Sequence, residues 1–95
     1  MIVRFTLRAL ADLDAAREYI EQHNPHAARL LAGRLRAAIA DLCDFPARGR
    51  PGRLGGTREM VVPRTPYLVA YRIDGLHIDI LAIRHGARLW PSALE

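Results

Sequence analysis

The dipeptide Asp74-Gly75, set between YLVAYRI (67–73) and LHIDILAIR (76–84), constrains the fold of this chain more than any other stretch. Both flanking runs are rich in β-branched and aromatic residues, and an Asp-Gly pair between two such runs is the strongest short-range signal for a two-residue β-hairpin. A type I′ turn at Asp74 and Gly75 makes Ile73 face Leu76. That register pairs Tyr71 with Ile78, Val69 with Ile80 and Tyr67 with Ala82 on one face, and the alternation carries Arg84 to the same side. The opposite face then holds Arg72 across from His77, Ala70 across from Asp79 and Leu68 across from Leu81, with Ile83 and His85 following. Leu81 and Ile83 are apolar where a fully solvated face is polar, so this second face is expected to meet the chain's own tail or a partner.

Upstream, the periodicity changes. IVRF (2–5) reads as a short strand ending at Thr6, a helix cap. Beyond it Ala9, Leu13, Ala16 and Ile20 share one helical face, with Asp14 and Glu18 opposite, which predicts a helix over 7–22. The segment HNPHAA stops that helix and starts another, with Asn24 as N-cap and Pro25 at the first helical position, where its missing N–H costs nothing. Ala28, Leu31, Leu35, Ala38, Ile39 and Leu42 form the stripe of the second helix, and the short connection makes the two an antiparallel hairpin ended by Pro46. PARGRPGRLGG (46–56) has no periodicity and reads as a loop carrying three arginines. TREMVV (57–62) returns to strand character. The expected fold is α+β, a single domain over residues 1–95 in the order β-α-α-β-β-β, with a helical hairpin packed on a small, mainly antiparallel sheet.

Several function classes are excluded by what the sequence contains. The longest apolar runs fall far short of the ~20 residues of a membrane helix. MIVRFTLRAL has no sustained apolar region of the kind a signal peptide needs, and a cytoplasmic protein is expected. Cys43 lies among apolar helix neighbours in AIADLCDF and reads as core packing. The histidines at 23, 26, 77 and 85 form no zinc-type spacing with it, so no metal is expected. GRPGRLGG lacks the ending and the following helix of a phosphate-binding loop, and no cofactor is expected.

Charge is more informative. The net charge is +4, and every basic residue is arginine. Residues 1–44 balance, whereas the surplus lies in residues 45–95. Arginine presents a planar fork of donors to phosphate or carboxylate, so the surplus favours an anionic or acidic partner.

Taken in order, DLDAAREYI, NPHAARLLAGRL, FPARGRPGR, GTREMVV, PYLVAYRI and ILAIRHGAR resemble the RelE/ParE superfamily of toxins from type II toxin–antitoxin modules, often named plasmid-stabilisation proteins. The resemblance covers nearly the whole chain. It rests on Pro-x-x-Gly-Arg after the second helix, Arg-Glu opening the second strand, Tyr-x-x-x-Tyr-Arg, and His-Gly-x-Arg closing the last strand.

The resemblance implies a growth-inhibiting toxin bound in a hetero-oligomer by a cognate ParD- or RelB-like antitoxin, for which Leu68, Leu81 and Ile83 offer a semi-apolar landing site. The ParE-like class acts by binding DNA gyrase and needs no catalytic set; the HGAR ending, the FPARGRPGR loop and the long helical hairpin favour it. The RelE-like alternative cleaves mRNA on the ribosome. There Glu59 or His85 would handle protons, and Arg58, Arg64, Arg72, Arg84 and Arg88 would clamp phosphate, with Trp90 stacking on a base. The basic sites of that class are usually lysine-rich, and here no lysine is present and Gly86 and Ala87 follow the strand-end histidine. A third reading, a basic nucleic-acid-binding module without toxicity, ranks below both.

Overall fold

The computed structural model describes residues 1–86, so Arg88 and Trp90 lie outside the described residues. The strand β1 (Ile2–Phe5) leads into helices α1 (Leu7–His23) and α2 (Pro25–Asp44). A single 3₁₀ turn (Pro46–Arg48) follows, then strands β2 (Arg50–Pro51), β3 (Arg58–Val61), β4 (Tyr67–Asp74) and β5 (His77–His85). Both helix starts follow from their caps: the Thr6 hydroxyl accepts from the Ala9 N–H at 3.1 Å, and the Asn24 side chain accepts from the Ala27 N–H at 3.1 Å.

The five strands form one sheet in the order β1-β5-β4-β3-β2. Among the described residues only β1 and β5 run parallel; the other pairs are antiparallel, as expected. A parallel neighbour requires a crossover, and the helical hairpin begins it, laying α1 against β5. The fifth strand, β2, lies in the segment that the sequence pattern leaves as a loop. Two residues at a sheet edge carry no period, and an edge is where a proline such as Pro51 is tolerated.

The hairpin register differs from the expected one in two places. Asp74 pairs with His77, so the two-residue loop is Gly75-Leu76 and Ile73 faces Ile78 rather than Leu76. Gly75, with φ of 59°, supplies the left-handed first position, while Asp74 stays in the strand. A slip of two residues preserves parity, so Tyr71 and Ile80 still share the helix-facing side. Further along, the register jumps between Ala70 and Tyr71, because Leu81 is an extra residue in β5. This bulge inverts the alternation. Ile83 therefore pairs with Val69 and joins the core under the helices, and Arg84 pairs with Leu68, the reverse of the expected assignment.

The core between the layers is built from Leu31, Leu35 and Leu42 of α2 against Val69, Tyr71, Ile78 and Ile80 of the sheet, with Phe5, Leu13 and Ile20 at its margin. Tyr71 also anchors the 3₁₀ turn. Its buried hydroxyl donates to the Pro46 carbonyl at 2.7 Å and accepts from the Gly49 N–H at 2.9 Å.

Candidate functional site

Past Phe5 the outer edge of β5 loses its strand partner, and its backbone groups need other ones. Thr6 takes the first of them, its hydroxyl lying 3.1 Å from the carbonyls of Ile80 and Leu81. Asp12 on α1 takes the next: its Oδ2 accepts the Ile83 N–H at 3.0 Å and lies 3.9 Å from Arg84 Nε. That Nε is shut off from solvent and has no hydrogen-bond partner among the described residues. A cavity of about 260 Å³ opens beside this pair, walled by Tyr19, Tyr67 and His85. A second, of about 230 Å³, shares those three rings and continues to Arg34 and Arg64. The rings of Tyr67 and His85 meet edge to face, with centroids 5.6 Å apart.

The residues singled out from the sequence gather only in part: Arg64, Arg84 and His85 line these adjoining cavities, whereas Glu59, Arg58 and Arg72 lie elsewhere. Glu59 is only 5% exposed and is tied within its own hairpin. Its carboxylate accepts from Arg50 Nη2 at 3.4 Å and the Arg53 N–H at 3.2 Å, with Arg53 Nε 3.7 Å away. Glu59 pairs with Ala70, whereas His85 pairs with Tyr67. Three positions separate Ala70 from Tyr67 on β4, so Glu59 and His85 stand two strands apart on opposite faces of the sheet.

Apart from Arg64 and Arg84, the arginines singled out are dispersed as well. Arg58 donates to the Gly49 carbonyl at 2.7 Å, and Arg72 approaches Asp79 on the other face at 4.0 Å. Arg64 sits in the β3–β4 connection with φ of 62°, a left-handed conformation that costs a non-glycine residue about 1–2 kcal/mol. Its carbonyl is held by Arg34 Nη1 at 3.1 Å. Leu68, Leu81 and Ile83 are 6%, 1% and 3% exposed, so in this arrangement they do not form an open landing surface.

Sequence reasoning missed Asp12, Tyr19, Arg34 and Tyr67 as residues lining these two cavities. Tyr19 gave one usable signal, an aromatic on a helix face that is 59% exposed. Among the described residues no group of histidine, cysteine or carboxylate side chains is arranged to hold a metal, and no helix is long and apolar enough to cross a membrane.

The family model described as "ParE toxin of type II toxin-antitoxin system, parDE" matches residues 3–90. The chain belongs to the ParE toxin family. Among relatives of this family member, Y4kP of Sinorhizobium fredii is 42% identical over 92 residues, covering 97% of this chain and 95% of that protein. Toxin RelE2 of Caulobacter vibrioides is 47% identical over 88 residues, covering 92% of this chain and 97% of its own length. The fold matches a solved structure of the chromosomal ParDE toxin–antitoxin system from P. aeruginosa, with a TM-score of 0.79 and 27% identity over 90% of this chain and 95% of that one. This ParE-family chain is therefore a toxin of a type II toxin–antitoxin module. Relatives bear both RelE and ParE names, so the names do not separate the two modes of action.

Proposed function

We propose that this ParE-family toxin inhibits growth by binding DNA gyrase, is neutralised by a cognate antitoxin, and carries no nuclease site. The separation of Glu59 from His85 supports this reading. Cleavage of RNA by a 2′-hydroxyl needs a base, an acid and cations converging on one phosphate within hydrogen-bond reach. The two proton-carrying candidates here lie on opposite sheet faces, and Glu59 is already engaged by Arg50 and by the Arg53 N–H. A binder needs no such convergence; it needs a shaped, charged surface.

The test compares purified wild-type protein with Glu59→Gln and His85→Ala in two assays, gyrase supercoiling and the integrity of ribosome-bound transcripts. Gyrase inhibition by the wild type and by both variants, with transcripts intact, is the expected outcome. Translation-dependent cleavage that drops more than ~10-fold in both variants would overturn the proposal in favour of the RelE-like reaction.

A further inference from the structure

The fold leaves the charged side chain of Arg84 unsatisfied. It is 23% exposed, and none of its five N–H donors makes a hydrogen bond among the described residues. Its carboxylate neighbour, Asp12, stands 3.9 Å from Nε, beyond hydrogen-bond distance. A largely buried charge is ordinarily both paired and hydrogen-bonded, so this arrangement calls for a reason. Nε is closed off from solvent, whereas the terminal nitrogens Nη1 and Nη2 stay accessible.

Asp12 is only half committed. Its Oδ2 holds the Ile83 N–H, while Oδ1 stays accessible and has no hydrogen bond among the described residues. Both side chains line the cavity of about 260 Å³ walled by Tyr19, Tyr67 and His85. An unused acceptor therefore lies beside unused donors in one enclosed space. Tyr67 adds a third group: the residue is 8% exposed, and its hydroxyl has no partner among the described residues.

The walls decide what kind of guest fits. Three aromatic rings offer flat faces to a planar ring. The volume lies just under the ~300 Å³ at which pockets for drug-sized ligands begin, which limits the guest to one ring system with a small substituent. Asp12 repels an anion and Arg84 a cation, so a neutral guest matches the pair best. A planar ring with an N–H beside a carbonyl meets every condition. Its N–H donates to Asp12 Oδ1, and its carbonyl accepts from a terminal nitrogen of Arg84.

We propose that this cavity binds a nucleobase of the uracil or guanine type by its N–H and carbonyl edge. A free nucleoside and a base of a single strand share that chemistry. The inference is independent of whether gyrase is the target, and it asks for binding only, with no reaction.

The experiment follows the backbone amides of the purified toxin by NMR during titration with uridine, N3-methyluridine and a short single-stranded oligouridine. Uridine is expected to shift the amides of Ile83, Arg84 and His85 saturably. N3-methyluridine, which lacks the N–H, is expected to bind at least ~10-fold more weakly. Asp12→Asn, which puts a donor where the acceptor stood, should weaken uridine ~10-fold or more. Tyr19→Ala removes a ring that is 59% exposed, so the fold is retained, and should weaken uridine at least ~5-fold. Oligouridine that binds ~10-fold tighter than uridine, and loses that affinity in both variants, assigns the site to a strand; equal affinities assign it to the free nucleoside. No saturable shift at these amides up to about 10 mM of either probe overturns the proposal. So does N3-methyluridine binding as well as uridine. Oligouridine binding that both variants leave unchanged overturns it too, because the strand would then be held by exposed arginines alone.

Discussion

Arg4 and Asp79 join the two parallel strands of the sheet through a two-pronged ion pair, with Nε to Oδ1 at 2.6 Å and Nη2 to Oδ2 at 3.1 Å. The same guanidinium reaches Asp74 at 3.3 Å. The hydrogen bond from Arg4 holds the Asp79 carboxyl below its ordinary value of 3.8; partial burial opposes it, and the positive charges of Arg4 and Arg72 add to it. A carboxyl with a depressed folded-state pKa stabilises the fold above its unfolded value and loses that contribution as pH falls through the folded one. Chemical denaturation from roughly pH 5 down to pH 2 should therefore show a steeper acid limb for the wild type than for Asp79→Asn. Parallel curves would mean that this pair does not couple folding to protons.

The 3₁₀ turn after α2 depends on one hydroxyl. Tyr71→Phe removes the bonds to the Pro46 carbonyl and the Gly49 N–H together, leaving two backbone groups without their buried partner. A loss of about 1–3 kcal/mol is expected, read by urea denaturation, with the 46–56 segment becoming the first site of limited proteolysis. Gly49→Ala should do comparable damage by overpacking, because its Cβ would lie 2.6 Å from the Tyr71 hydroxyl and 2.9 Å from the Glu59 carbonyl. A Gly49→Ala protein as stable as wild type would show that the turn relaxes around the added methyl.

The helices were legible because their signals are local: Thr6, Asn24 and Pro25 mark the starts, and the stripe through Leu31, Leu35 and Leu42 marks the buried face. The hairpin was legible in existence but not in register. Asp74-Gly75 satisfies a type I′ turn on paper, yet only Gly75 takes positive φ, and Asp74 remains in the strand facing His77 with Arg4 nearby. The bulge at Leu81 was invisible, since an apolar residue that breaks the alternation looks like any other within LAIR, and the sides of Ile83 and Arg84 were inverted with it. The cavity beneath Tyr19 and His85 had the weakest trace of all. It unites Tyr19, Arg34, Arg64 and His85 from four separate segments, and no spacing rule within one segment reports such a meeting.

Asp12 is the side chain through which α1 holds the unpaired edge of β5. Asp12→Ala leaves the Ile83 N–H without its acceptor and deprives Arg84 of its nearby carboxylate. We expect a destabilisation of about 1–3 kcal/mol. Faster hydrogen exchange at the Ile83 amide, without a matching rise at Val69 or Ile80, should accompany it. Uniform acceleration across the sheet would point to global loosening rather than to an edge released.

Glu59 allows the structural and the catalytic roles of one carboxylate to be separated. Its two arginine partners are each more than half exposed, so the charge term is screened, whereas its hydrogen bond from the Arg53 N–H lies inside the hairpin. Gln keeps the shape and an acceptor for that N–H but removes the charge. Glu59→Gln should therefore cost less than about 1 kcal/mol, and Glu59→Ala about 1–3 kcal/mol because the buried acceptor disappears. If the residue only fastens β2 and the following loop to β3, growth inhibition should track stability: nearly intact for Gln, reduced for Ala, and recovered for Ala at lower temperature. A Gln variant with an unchanged melting temperature and no toxicity would contradict this, because removing a charge without removing structure abolishes function only when the charge or its proton takes part directly.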